Sequence, residues 1–406
     1  MIRDFYPSQW AMAHNPVTVD IQTDGTDIYT LRDVTGGATP GTLLYEGSVQ
    51  GDASIDIAEV IQAAFQLPPP IPYVAVSQQP FIPEAGINTI QPTSIVTVLG
   101  SQIRRIHLAV TSPQGTDNLT WNVLPGGTSM HNYRLLRHQG SDFVAQRVRN
   151  YAGNFFLTTR SDKWVIPVPE TEVMPLVFVH PGTAIVFTEP ITGKQYTHTP
   201  AIGQEGKYAL LDIDRMRRWF YDTYHVIPSV LDVSVPSVAV SQQPSCRIVI
   251  TRAALARQRQ AIIFLNSYGA WETISLPGTA TITPVSPEEQ QSKRWDPLTA
   301  DFYAHRERLP LNFTAAVQTG YADADRMRLL LDMMVSQHVY MLIAGAWQKV
   351  IPVIEENAIP IRPIEPQGIT LQFTLSRSEC HITDIVDIGT SQPPRIHTLQ
   401  FNPPFN

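Results

Sequence analysis

Lysine is almost missing from this 406-residue chain: Lys163, Lys194, Lys207, Lys293 and Lys349 are the only five among 29 cationic side chains. Charged residues of both signs make up 16% of the chain, against roughly 25% in ordinary soluble proteins. The net charge of −7 and pI near 5.9 exclude a basic surface that could neutralise phosphates, so nucleic acid is not the expected partner. Cysteine is scarce as well. Cys246 and Cys380 cannot form a disulfide framework, and the domains must stand on their hydrophobic cores. Long hydrophobic runs are absent; the longest, Val339 to Trp347, falls well short of the roughly 20 residues of a membrane-spanning helix. The opening Met1-Ile-Arg-Asp-Phe-Tyr-Pro lacks a charged segment followed by an apolar one, so no signal peptide is read and no membrane insertion is expected.

Motifs of catalysis are also lacking. There is no G-x-S-x-G elbow, Walker A loop, H-E-x-x-H, G-x-G-x-x-G or C-x-x-C. The eleven histidines are scattered. A glycosidase needs two carboxylates facing one cleft. Glu170 and Glu172 are close in sequence, but their spacing puts them on one side of a strand beside prolines, as on a solvated face. Glu288 and Glu355 carry no mark of function, and Glu288 falls in a linker-like stretch. No catalytic, cofactor-binding or metal-ligating residue is named on these grounds, and the chain is expected not to be an enzyme.

What is abundant is proline, 34 residues, with hydrophobic side chains at 43%. Proline breaks helix interiors and cannot donate to a β-ladder, so this composition favours many short strands joined by defined turns. Val17-Thr-Val-Asp-Ile-Gln-Thr alternates apolar and polar and runs into Asp24-Gly25, a hairpin signal. Arg105 to Thr111 alternates likewise, and shorter apolar runs lie at 164–168, 176–180, 184–188, 247–251 and 369–375. The expected class is mainly β: tandem small β-sandwich domains with short capping helices, internally duplicated.

The duplication rests on an identical heptapeptide, Val74-Ala-Val-Ser-Gln-Gln-Pro80 and Val238-Ala-Val-Ser-Gln-Gln-Pro244. A short helical pattern precedes each copy, from Asp56 and from Asp212, with an aspartate suited to capping the positive helix end. A third helix is expected near 323–336, where Asp325-Arg-Met-Arg328 matches Asp214-Arg-Met-Arg217. The Asp-x-Asp pairs could be read as metal ligands; capping and pairing with arginine is the simpler account. Boundaries are placed near 72, 150, 236 and 300. Residues 1–72 then form a β-domain with a C-terminal helix, 73–150 a second β-domain, 151–236 a repeat of the first and 237–300 a repeat of the second. The remainder, 301–406, is a β-domain with its helix and an extended tail, and Pro393 to Asn406 could lie across a neighbour as an arm. Thr281 to Pro297 is the best linker candidate. The seven tryptophans fall about one per module and are read as core anchors, the alternative being a row of sugar-stacking platforms.

Four segments, taken in order, resemble a known group. They are Asn15-Pro16 before the first strand; Asn154-Phe-Phe-Leu-Thr-Thr-Arg160 followed by Trp164-Val-Ile-Pro-Val and by Glu170 to Phe178; Phe264-Leu-Asn-Ser-Tyr-Gly-Ala-Trp-Glu-Thr-Ile-Ser-Leu276; and Thr319 to Asp325 with its helix. Together they are similar to tail- or baseplate-type structural proteins of Bacteroidetes phages and prophages. The resemblance implies repeated β-domains, no catalytic residue and assembly into a symmetric particle. The resulting expectation is a non-catalytic structural subunit of a virion (tail, baseplate, ring or collar) whose partners are further copies of itself and neighbouring virion proteins, with no cofactor. The chain would be made in the host cytoplasm and released in the particle. The alternative is a carbohydrate-binding or adhesion module for a cell-surface glycan, and a glycan-degrading enzyme with an unrecognised site is the third reading.

Overall fold

In the computed structural model, the chain is described at residues 1–37, 40–65, 71–72, 89–90, 94–99, 102–143, 146, 155–160, 164–170, 175–236, 245–251, 259–285, 291–306, 312–322, 324–343, 346–353 and 367–376. Among these residues it is mainly β, with 27 strands and four α-helices.

The first unit contains β1 (Ile2–Tyr6), β2 (Trp10–Met12), β3 (Thr18–Ile21), β4 (Thr26–Asp33), β5 (Thr42–Gln50), β6 (Ala53–Asp56) and α1 (Ala58–Ala63). Two two-residue strands, β7 (Ile71–Pro72) and β8 (Thr89–Ile90), pair with each other. After them come β9 (Val96–Leu99), β10 (Arg104–Ser112), β11 (Gly115–Leu124) and α2 (Met130–His138). A three-stranded sheet β1-β3-β6 faces a five-stranded sheet β2-β11-β10-β4-β5. Alternation does the packing: Val19 and Ile21 from one sheet meet Leu31, Ile106, Leu108, Val110, Trp121 and Val123 from the other in one core.

The second unit has the same wiring. It comprises β12 (Val165–Pro169), β13 (Leu176–Val179), β14 (Ile185–Thr188), β15 (Gln195–His198), β16 (Tyr208–Leu211), α3 (Ile213–Tyr224), β17 (Val230–Ser234) and β18 (Cys246–Thr251). Its five-stranded sheet, β12-β18-β17-β14-β15, repeats the first unit's order strand for strand, down to the parallel pair at one end (β2 with β11, β12 with β18). Its small sheet is β13-β16-β9, so a strand that follows α1 in sequence completes the second unit's sheet, and the Asp212 amide donates to the Ile95 carbonyl at 2.9 Å. Trp10 and Leu124 of the first unit sit in the second unit's core.

The third unit opens with the hairpin β19 (Gln260–Leu265) and β20 (Trp271–Leu276). It continues with β21 (Ala280–Val285), β22 (Gln291–Asp296), β23 (Asp301–Arg306), β24 (Asn312–Ala322), α4 (Ala324–Val335), β25 (Val339–Ile343), β26 (Ala346–Val353) and β27 (Gln367–Leu375). From β21 to β26 it again runs strand, hairpin, strand, helix, hairpin. Here, however, the two layers are merged into one seven-stranded sheet, β20-β19-β25-β26-β27-β24-β21, with Leu329, Leu330 and Met333 of α4 in the same core as its strands.

Several expectations are corrected by these pairings. The boundaries near 72 and 236 cut through sheets, because β10 and β11 complete the sheet begun by β2, β4 and β5, and β18 sits between β12 and β17. The boundary near 300 falls in the turn of the β22–β23 hairpin. The expected linker 281–297 is largely strand: β21 is an edge strand of the large sheet, where Pro284 is tolerated, and β22 is half of a hairpin. Asp24-Gly25 is not a hairpin turn, because β3 pairs with β1 and β6 while β4 joins the other sheet. Trp10, Trp121 and Trp271 are core anchors as expected, but Trp164 and Trp295 are exposed. Both heptapeptides, Cys380 and the tail 393–406 lie outside the described residues. Asp212 caps α3 as expected, accepting from the Arg215 amide at 2.9 Å. Asp56 sits one residue before the cap of α1 and accepts from the Ala58 and Val17 amides, each at 3.0 Å.

Candidate functional site

The densest polar chemistry among the described residues gathers around the β19–β20 turn, where all three units meet. Asn266 organises that turn. Its Oδ1 accepts from the Tyr268 and Ala270 amides (3.0 and 2.9 Å), while its Nδ2 donates to the Leu157 carbonyl and to Glu272 Oε1 (2.9 and 2.6 Å). A buried asparagine with both sides of its amide engaged fixes a turn rather than leaving it to fray. Gly269 has φ 75°, and a Cβ there would lie 2.6 Å from the Pro125 carbonyl group. Gly126 faces it across the seam with equally little room, and the Gly127 amide donates to the Ser267 carbonyl at 2.7 Å. The first unit thus docks backbone on backbone against the third. The second unit contributes the Tyr208 hydroxyl, which donates to the Gly269 carbonyl at 3.1 Å.

Beneath the turn lies a buried ion pair. Arg160 Nε approaches Glu272 Oε2 to 3.1 Å, each side chain 5% exposed. Arg160 Nη2 donates to the Thr273 carbonyl at 2.6 Å, and the Thr159 amide donates to Glu272 Oε1 at 3.0 Å. Complete burial pushes the Glu272 carboxyl above the usual carboxylate range; Arg160, Asn266 and Thr159 oppose that rise. Asp332 on α4 is a second carboxylate clamp, accepting from the Ser267 amide at 3.1 Å, the Ser267 hydroxyl, and the Thr159 hydroxyl at 2.8 Å. Arg326, nearly two turns earlier on the same helix, donates to the Ser275 carbonyl at 2.9 Å.

A cleft of about 400 Å³ opens beside this junction, lined by His14, Gly127, Ser267, Asp332, Ser336 and His338 among others. Two of its hydroxyls are engaged within the fold: Ser267 donates to Asp332, and Ser336 donates to the Leu265 carbonyl at 2.7 Å. Burial holds His14 below its ordinary range, so its imidazole is neutral near pH 7.

One histidine pair stands apart from the junction. His180 Nε2 and His198 Nε2 are 3.1 Å apart, and His180 Nδ1 accepts from the Gly182 amide at 3.0 Å. With Nδ1 accepting, neutral His180 carries its proton on Nε2 and donates to His198. Burial, then the neighbouring imidazole, lowers His180 to about 4, and burial lowers His198 too. No group of three or more His, Cys, Asp or Glu side chains among the described residues could hold a metal ion.

Of the carboxylates weighed from sequence, Glu170 pairs with Arg217 at 2.9 Å on the surface, and Glu172, Glu288 and Glu355 lie outside the described residues. Sequence reasoning missed Arg160, Glu272 and Asp332. The one available signal was Glu272 itself, a charge inside the otherwise strand-like Trp-Glu-Thr-Ile-Ser-Leu run, which asks for a buried partner. No known family model matches this chain, and no curated protein matches it either.

Proposed function

We propose that the chain is a non-catalytic structural subunit of a phage virion, of tail or baseplate type, working through protein–protein contacts. The observation that carries this reading is the convergence of three of the segments behind the phage resemblance. Residues 154–160, 264–276 and the helix after 319–325 lie far apart in sequence, yet Thr159, Arg160, Asn266, Glu272, Arg326 and Asp332 from these segments build one junction. Their polar groups are engaged in locking units together, which is what a part that transmits load needs and what a substrate cleft does not. The test is to purify particles from a host carrying the gene, identify the chain in them by mass spectrometry, and locate it by antibody labelling in electron micrographs. Particles that form with full infectivity when the gene is deleted would refute the reading.

The second reading, glycan recognition, draws on the exposed aromatics Trp295, Phe302 and Tyr303. Trp164, the other exposed tryptophan, already carries the Arg247 guanidinium over its face at 5.1 Å. Glycan-array binding that disappears in Trp295→Ala while the melting temperature is kept would favour this second reading.

A further inference from the structure

The β22–β23 hairpin is out of place by the standard of its own repeats. In the first unit the equivalent hairpin β4–β5 lies in the main sheet, β4 pairing with β10, and buries Leu31 and Val49. In the second unit β14–β15 lies beside β17 and buries Ile185 and Phe187. In the third unit that position next to β25 is filled by β19, and β22–β23 forms a two-stranded sheet of its own. Its side chains keep the apolar character of a packed hairpin without the cover: Leu298 is 94% exposed, Phe302 61% and Trp295 49%, with Tyr303 also exposed. An isolated hairpin with one apolar face uncovered is marginal in water, and contiguous exposed apolar surface marks a contact.

The first unit offers a matching surface. Residues 1–65 contain nine carboxylates (Asp4, Asp20, Asp24, Asp27, Asp33, Glu46, Asp52, Asp56, Glu59) against two arginines, Arg3 and Arg32; Asp27 is buried against the N-terminal amine and Asp33 pairs with Arg104, and the other seven remain. That excess equals the net charge of the whole chain, −7. There β5 is a nine-residue edge strand with Leu43 and Tyr45 exposed, and Ile28 is exposed on its neighbour β4. Among the hairpin's described side chains, the exposed cations are Lys293 and Arg294. Its two aspartates, Asp296 accepting from the Leu298 amide and Asp301 from the Phe302 amide, keep their charge but sit at the turn end, away from the Lys293–Arg294 stem.

We propose that the β22–β23 hairpin of one copy docks on the outer face of the exposed β4–β5 edge of a second copy, its aromatic face on Ile28 and Leu43 and its Lys293–Arg294 stem against the acidic first unit. The contact is head-to-tail, so it closes into a ring or runs into a filament, according to the rotation between copies. It also covers an edge strand that would otherwise invite unspecific pairing. This inference rests on the structural-subunit reading and specifies its self-contact.

The test is sedimentation velocity and light scattering on the full chain across a concentration series at low and high salt. Wild type should associate, and association should weaken with salt, since the stem contributes charge attraction near the surface. Trp295→Ser with Phe302→Ser should weaken association at least tenfold while leaving the melting temperature unchanged, because the hairpin carrying both side chains pairs with no other described strand. Lys293→Glu with Arg294→Glu should weaken it too, and Glu46→Lys in the same chain should restore part of it. A wild type that stays monomeric at every concentration overturns the proposal, as does association indifferent to the hairpin variants. A monomer that still occupies purified particles beside other proteins also overturns it, while leaving the virion reading intact. A monomer whose hairpin instead binds glycans or vesicles overturns it in favour of those partners.

Discussion

Trp271 and Trp164 carry the same side chain into opposite circumstances. Trp271 is 2% exposed, close to His338 and Tyr340, while Trp164 is 47% exposed under the Arg247 guanidinium. Trp271→Ala should therefore cost about 3–5 kcal/mol, the usual price of truncating a buried aromatic. Trp164→Ala should cost only about 0.5–1 kcal/mol, the worth of an exposed cation–π contact. Chemical denaturation of both variants checks the contrast; equal losses would mean that the junction around Trp271 is not packed as described. The Arg160–Glu272 pair makes a sharper case. Glu272→Leu leaves Arg160 charged and buried without its counterion and should destabilise by roughly 3–5 kcal/mol, whereas replacing both partners by apolar residues should recover much of the loss. A double variant no better than the single ones would argue against the pair being buried together.

At the scale of the element, the β19–β20 turn and the histidine pair each make one prediction. Gly269→Ala adds a Cβ at φ 75° into the Pro125 carbonyl, against backbone that cannot swing aside as a side chain could. The expected result is a larger loss of melting temperature than for Gly193→Ala, also at positive φ but with open space around it. In the second unit the loop at His180 lies against the end of β15 through His198. Because burial lowers both imidazoles in the folded state, the unfolded chain binds protons first on acidification. The pair's contribution to stability is complete above about pH 6.5 and is lost as pH falls toward about 4, where His180 takes up its proton. His180→Asn should flatten that part of the stability–pH curve; an unchanged acid limb would assign the acid sensitivity elsewhere.

At the scale of the whole molecule, the units are joined by more than chain connectivity. Strand β9 completes a sheet in the second unit, Trp10 enters that unit's core, and the β19–β20 turn touches all three units. Thermal unfolding should therefore be more cooperative than three independent domains would allow, with the first and second units melting together. Calorimetry that resolves their two transitions at well-separated temperatures would contradict the shared core. Local pattern alone made much of this fold legible. Period-two alternation at 105–111, the apolar runs at 176–179 and 247–251 and the aspartate before α3 each depend on neighbours within a few residues, so their elements could be read directly. The likeness of the Asp212 and Asp325 helices was likewise visible in the residues themselves. What only the tertiary structure decided was partnership. Asp24-Gly25 reads as a hairpin until β3 is seen to pair with β1 and β6, and 281–297 reads as a linker until β24 supplies β21 with its ladder. Arg160, Glu272 and Asp332 are ordinary charges in sequence and become a junction only because segments more than a hundred residues apart close on one another, where burial makes each charge depend on the other.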